Sequence, residues 1–447
     1  MDQPRAEFSS KIAFILAASG SAIGLGNIWG FPIQVAQNGG GAFVITYVVL
    51  TFLLAYPILM TELLIGRYAK SDTVTSMLSV SISKTKWLAL ITGYWGILTA
   101  SLILSFYAIV AGWMVAYGAS GVSDLFGLSN ISVWLKEFSL SRNLIFVVIF
   151  YIFTVRIVAK GVSGGIEKWS TRLMPILLAL IVLLIAYIAT REGASAGWKM
   201  YLQPDFSRIL NPDLILSALG QAFFSLSLGV GTMMIYGSYV SRSENIAKLG
   251  ASVAVLDVFI AFLAGLLVIP AMTVALHNGV EIYNESNQLI DSDGLIFTVL
   301  PALFESMGSI GALVAIVFFT LMTIAAVTSS ISMLEVPVAY VVERHGIKRQ
   351  RGAYLVGGLI LLISIIIILN FGFLFGSVIK FATVYSEPLI GLLFCFFAGW
   401  VWSRQKILME LKQGMPDAEQ SLFWAIWPNY IRFVCPLIMV LLFWHTF

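Results

Sequence analysis

Charge is scarce in this chain. Asp, Glu, Lys and Arg together make up 11% of its 447 residues, against about 25% in soluble globular domains. Hydrophobic residues make up 59%, which excludes a protein built mainly of soluble domains. The net charge of +3 marks no nucleic-acid surface, because the basic residues fall between apolar runs. There are two cysteines, Cys395 and Cys435. Both lie in apolar runs, so no disulfide framework is expected. The three histidines, His277, His345 and His445, are far apart and give no metal-ligand spacing. No Ser/His/Asp or Cys/His grouping assembles on the apolar runs, which argues against an intramembrane enzyme. The N-terminus is short and polar and leads straight into the first apolar run, so no cleaved signal peptide is evident.

What the chain does contain is apolar runs of bilayer-spanning length. They fall at 12–37, 41–65, 87–118, 143–159, 173–190, 214–240, 250–276, 309–341, 353–370, 374–402 and 423–446, which predicts an all-α polytopic membrane protein of eleven spans. With the N-terminus in the cytoplasm, the inner segments hold nineteen Lys and Arg and the outer segments five. This bias sets the orientation and places the C-terminus outside. The segment 277–308 carries five acids and no Lys or Arg, in keeping with an outer loop.

The first run is unusual. Residues Gly20 to Pro32 include four glycines and a proline, which weaken a helix at bilayer depth. Backbone unwound there is tolerated only against protein or a watery cavity. Its exposed carbonyls suit cations, and a half-helix N-terminus suits a carboxylate. The sixth run carries its own interruption, Ser225 to Gly231. Breaks at corresponding positions predict an inverted repeat, spans 1–5 against 6–10, with the site between them. The chain then divides into 1–190 (N-terminal region and first repeat), 191–404 (outer loop and second repeat) and 405–447 (cytoplasmic loop and span 11). Four acids fall inside spans: Glu62, Asp257, Glu335 and Glu387. Each needs a partner or a function there. Glu62 and Glu387 read either as packing acids bonded to backbone or as functional groups. Asp257 and Glu335 lie among small polar residues, which favours a place near ions or water.

These motifs resemble the neurotransmitter:sodium symporter family with the LeuT fold, in its eleven-helix bacterial branch. The resemblance rests on Gly20 to Pro32, Asn38 to Phe43, Glu62 to Arg67, Gln221 to Gly231, Ser238 to Val240 and Ala325 to Ser330, in that order on those spans. It covers about Arg5 to Arg404 and implies a 5+5 inverted repeat with helices 1 and 6 broken. It implies a first sodium site of Ala22, Asn27, Ser225, Asp257 and the substrate carboxylate. A second site would use Gly20, Ile23, Ala325, Thr328 and Ser329. All are hard oxygen ligands suited to Na⁺. The implied substrate pocket holds Ala22, Gly24, Gly26, Ile103, Tyr107, Phe224, Ser225, Ser227, Val230, Ser329 and Met333, with Tyr107 on the substrate carboxylate.

Gly24 stands where amine transporters of the family carry an Asp, so the ligand is expected to bring its own carboxylate. Val230 replaces a larger aromatic, leaving room for a bulky side chain. The implied function is sodium-coupled symport of a neutral, hydrophobic or aromatic L-amino acid. The alternatives are symport of another small carboxylate-bearing solute, or a sensor that binds without flux. Chloride-dependent relatives use Tyr, Gln and two Ser. Here Tyr47, Gln221 and Ser225 match, but Ala261 replaces the last Ser and Asp257 brings a carboxylate, so no chloride is expected. The implied inner gate pairs Arg5 with Glu343 beside Tyr239. Gly30 replaces the arginine of the outer gate and span 10 offers no matching acid, so outer closure is expected to rest on Phe224, Tyr107 and the 277–308 loop. Gly165 and Pro175 either let span 5 unwind at its inner end or are an ordinary loop glycine and first-turn proline. The expected setting is the bacterial inner membrane; lipid is a partner and nucleic acid is not.

Overall fold

The computed structural model describes residues 5–282, 295–307 and 309–446. Among these, nine helices are long and apolar enough to cross a bilayer. They are Gly41–Ala69, Ser83–Leu125, Leu140–Ala159, Val162–Ala189, Ile246–His277, Ile310–His345, Arg349–Leu369, Phe371–Val401 and Leu422–Phe443, here spans 2–5 and 7–11. Span 1 is a pair of half-helices, Lys11–Ala22 and Gly26–Gln37, bent by 58°. Span 6 is also two pieces, Pro212–Ser225 and Thr232–Ser238. Spans 3, 5 and 8 run beyond the apolar stretches. Charged end turns, such as Lys168 and Arg172 on span 5, hide these ends from hydropathy. The loop between spans 7 and 8 carries a further short helix, Leu300–Ser306. Residues 283–294 of that loop lie outside the described residues.

The packing reflects the repeat. The inner half of span 1 packs on spans 7 and 8, and the inner half of span 6 on span 2. Span 3 lies along span 8, and span 4 along span 9. Exchanging spans 1–5 with 6–10 turns the 1–7 contact into 6–2 and returns 3–8 and 4–9 to themselves. The 6–2 contact depends on Gly66, where a Cβ would stand 1.9 Å from the Met234 carbonyl oxygen. Next to it, Arg67 is fully buried and tied to Glu410 at 2.8 Å and to the Glu244 carbonyl at 2.7 Å. This pins the helix Arg404–Gly414 under span 2.

Candidate functional site

Both broken spans leave backbone groups unpaired by helix, and side chains satisfy them. In span 1 the Leu25 N–H donates to the Tyr107 hydroxyl at 3.1 Å. The Gly26 carbonyl accepts from Gln221 Nε2 at 2.8 Å. In span 6, Ser227, Gly229 and Gly231 take positive φ. The Gly229 N–H donates to Glu62 Oε1 at 2.8 Å, and Ser227 Oγ donates to the Ser21 carbonyl at 3.3 Å. The two breaks therefore hold each other.

Asn27, Ser225 and Asp257 are fully buried and converge. Asn27 Nδ2 touches Asp257 Oδ1 at 2.8 Å, Ser225 Oγ at 3.0 Å and the Asp257 carbonyl at 3.3 Å. Ser225 Oγ donates to Asp257 Oδ2 at 2.8 Å, and the Tyr47 hydroxyl reaches both, at 3.0 and 3.3 Å. An amide nitrogen thus stands among three oxygens, a donor set chemically suited to an alkali cation. To ligate one, Asn27 must present its oxygen instead. Ala22 ends the adjoining half-helix. A second cluster lies between the inner half of span 1 and span 8. Ser329 Oγ is 3.4 Å from the Gly20 carbonyl and 3.3 Å from that of Ile23. Thr328 sits against Gly20, but its hydroxyl bonds back to Ile324 and Ala325 at 3.1 and 3.0 Å. Apart from the Asn27 amide nitrogen, the polar side-chain atoms of both clusters are oxygens. Among the described residues no group of three His, Cys, Asp or Glu gathers to hold a metal.

A cavity of about 930 Å³ reaches Leu25, Tyr107 and Phe224 from the face opposite Arg5. Trp29, Trp113, Phe297 and Phe375 line its upper part, with Trp29 edge-on to Phe297 at 5.9 Å. Phe224 lies over Gly26, 3.0 Å from where a Cβ would be. Of the residues expected in the substrate pocket, Tyr107 and Phe224 line the cavity, whereas Ala22, Gly24, Gly26, Ile103, Ser225, Ser227, Val230, Ser329 and Met333 do not. A side chain at position 24 would enter the corner between two hydroxyls, its Cβ 2.5 Å from both Tyr107 Oη and Ser329 Oγ.

The face that carries Arg5 is sealed. Arg5 pairs with Glu343, donates to Ser238 Oγ at 2.9 Å and lies 4.7 Å over the Tyr239 ring. Phe8 packs edge-on against Phe14, Tyr236 and Tyr239. Glu335, expected near ions or water, belongs here instead. Its carboxylate accepts from Tyr239 at 2.5 Å and pairs with Arg349. Sequence reasoning also misses Glu167, which accepts from the Ser9 N–H at 3.1 Å and from the Ser9 hydroxyl. Gly165 lies in a π-helical turn, and the helix Lys168–Ala189 runs unbroken through Pro175. Glu62 Oε1 accepts from the Gly229 backbone, whereas its Oε2 and Glu387 Oε2 have no hydrogen-bond partner among the described residues.

Two helices broken at mid-membrane, oxygen clusters at both breaks, and a cavity open on one face and sealed on the other define a secondary transporter. The sequence profile of the sodium:neurotransmitter symporter family matches residues 5–139 and 132–447. An uncharacterized sodium-dependent transporter of Bacillus subtilis is 36% identical, over 99% of this chain and 98% of its own. One of Haemophilus influenzae is 30% identical with the same coverage. The crystal structure of MhsT in complex with L-phenylalanine superposes with a TM-score of 0.84 at 35% identity, covering 99% of this chain and all of that one. The chain belongs to the sodium:neurotransmitter symporter family and is a sodium-dependent transporter with the LeuT fold, not an enzyme.

Proposed function

We propose that this protein couples two Na⁺ to the uptake of a neutral, hydrophobic or aromatic L-amino acid by alternating access, without chloride. The observation that carries the substrate class is the corner at Gly24, where the Tyr107 hydroxyl accepts from the Leu25 N–H. Its own O–H is left to donate to a carboxylate, and the corner offers an amine no side-chain charge. The L-phenylalanine bound to MhsT supports the same class. Asn27, Ser225 and Asp257 would hold one ion with Ala22 and the substrate carboxylate. Gly20, Ile23, Ala325, Thr328 and Ser329 would hold the other. The protein would lie in the bacterial inner membrane with its N-terminus cytoplasmic and its C-terminus outside.

Uptake into proteoliposomes tests the coupling. Accumulation is expected with a sodium gradient and not when choline replaces sodium; uptake that persists in choline would refute the proposal, and binding without flux would mark a sensor. Decarboxylated amines should compete poorly for the central site. Tyr107→Phe should weaken amino-acid binding by about 1.5–3 kcal/mol, as for a hydrogen bond to a charged group.

Chloride independence rests on Asp257. Two Na⁺ and a zwitterion bring net positive charge to a low-dielectric site, where it is costly unless neutralised. The Asp257 carboxyl lies against Tyr47 and Ser225 and supplies a negative charge, and Ala261 on the same span offers no hydroxyl. Replacing chloride with gluconate should leave the uptake rate unchanged. Asp257→Asn combined with Ala261→Ser should make uptake chloride-dependent; a double variant as indifferent to chloride as the parent would contradict this role.

A further inference from the structure

Two arginines where spans 10 and 11 cross have no acid to answer them. Span 10 ends at Val401, and the helix Arg404–Gly414 begins just beyond it. Arg432, within span 11, lies level with that end. Each span carries a π-helical turn there, Phe397–Val401 and Tyr430–Val434. They approach closely at Gly399, where a Cβ would stand 2.7 Å from the Arg432 Cα. The Trp400 indole donates to the Arg432 carbonyl at 3.1 Å, and the Arg432 guanidinium lies 4.2 Å over the Trp400 ring. Arg404 lies 5.3 Å over the Trp424 ring and donates to Asn429 Oδ1 at 3.3 Å. Asn429 and Arg432 are three positions apart on one helix, hence neighbours on its surface. The two guanidiniums therefore flank a single side chain.

Both arginines are exposed. Among the described residues neither forms a salt bridge. A charge exposed on a span calls for a counter-charge. Indole rings such as those of Trp400 and Trp424 mark the headgroup level of a bilayer. The N-cap Ser403 makes no side-chain cap bond, so the first-turn N–H groups of the helix Arg404–Gly414 lack that partner. Guanidinium forks and helix N-termini both suit phosphate. Further along the spans the exposed surface is apolar. Phe396 lies one turn from Trp400 on span 10, and Phe433, Leu437 and Leu441 follow at four-residue spacing on span 11. A soluble anion would use only the charges. A phospholipid uses the charges and the apolar surface together.

We propose that Arg404 and Arg432 bind the headgroup phosphate of an anionic phospholipid, at a site separate from the transport pathway. The phosphate lies between the two guanidiniums, over Asn429. An acyl chain runs along Phe433 and Leu437, against Phe396 of span 10.

Native mass spectrometry of the full-length protein in a non-ionic detergent, with dioleoylphosphatidylglycerol added, tests this. A bound lipid is expected, and dioleoylphosphatidylcholine should bind about tenfold more weakly because its choline cancels the charge of its phosphate. Arg404→Gln combined with Arg432→Gln should weaken phosphatidylglycerol binding by roughly twentyfold, or about fivefold for each arginine. Lys84→Gln combined with Lys348→Gln removes the same charge away from this pair and should change nothing. Glycerol 3-phosphate should not displace the lipid. The preference of the unaltered protein for phosphatidylglycerol keeps the test independent of whether the arginine variant folds. The proposal is overturned by equal binding of the two lipids, by undiminished binding in the arginine variant, or by equal loss in the lysine variant. Displacement by glycerol 3-phosphate would also overturn it, by making the ligand a soluble phosphate.

Discussion

Replacing Thr328 and Ser329 together with alanine is expected to abolish sodium-driven uptake. In the proposed second sodium site these two hydroxyls complete a shell otherwise made of backbone carbonyls. Ser329 Oγ already faces the Gly20 and Ile23 carbonyls at 3.4 and 3.3 Å. Without it, carbonyl dipoles face one another with no side-chain oxygen between them. Each hydrogen-bond-like contact to a charge contributes about 1.5–3 kcal/mol, so losing both should cost roughly a hundredfold or more in sodium affinity. The single variants should not be equal. Thr328 turns its hydroxyl to Ile324 and Ala325 on its own helix, so Ser329→Ala should be the more damaging. Sodium titration of uptake by the three variants measures this. A double variant that keeps the parent's sodium half-saturation would remove the site from this part of the molecule.

Glu335→Ala is expected to open the inner face. Glu335 is fully buried and holds both the Tyr239 hydroxyl and the Arg349 guanidinium. Tyr239 in turn carries Arg5 above its ring. Breaking a buried ion pair from one side costs about 3–5 kcal/mol. Arg349 is 25% exposed, so the lower end applies. A cysteine introduced by Ala13→Cys on a background lacking Cys395 and Cys435 should label faster from the cytoplasmic side, and uptake should fall. Glu335→Gln retains an acceptor for Tyr239 and should label at an intermediate rate. Unchanged labelling in Glu335→Ala would place the seal in the Arg5–Glu343 pair and the Phe8 cluster alone.

The breaks in spans 1 and 6 are legible in the sequence because glycine and proline act locally. The spans themselves are legible because apolar runs are one-dimensional. The pairing of charges across the fold is not. Glu335 stands among small polar residues like any ion ligand, and only the arrival of Arg349, fourteen positions along, makes it a gate residue. Glu167 meets Ser9 across 158 positions, which no spacing signals. Helix ends are also obscured wherever charged turns extend a span beyond its apolar stretch, as at Lys168.

The Asn27 amide has a bearing on how readily an ion leaves. With its nitrogen toward Asp257 and Ser225, the amide already pairs with oxygens of the proposed first sodium site. Sodium bound there would exchange one set of contacts for another. Only the difference between the two sets remains as affinity. A structural ion gains from a shell with no such internal substitute. A transported ion must be released at every turn of the cycle, and a side chain able to take its place lowers the barrier to letting it go.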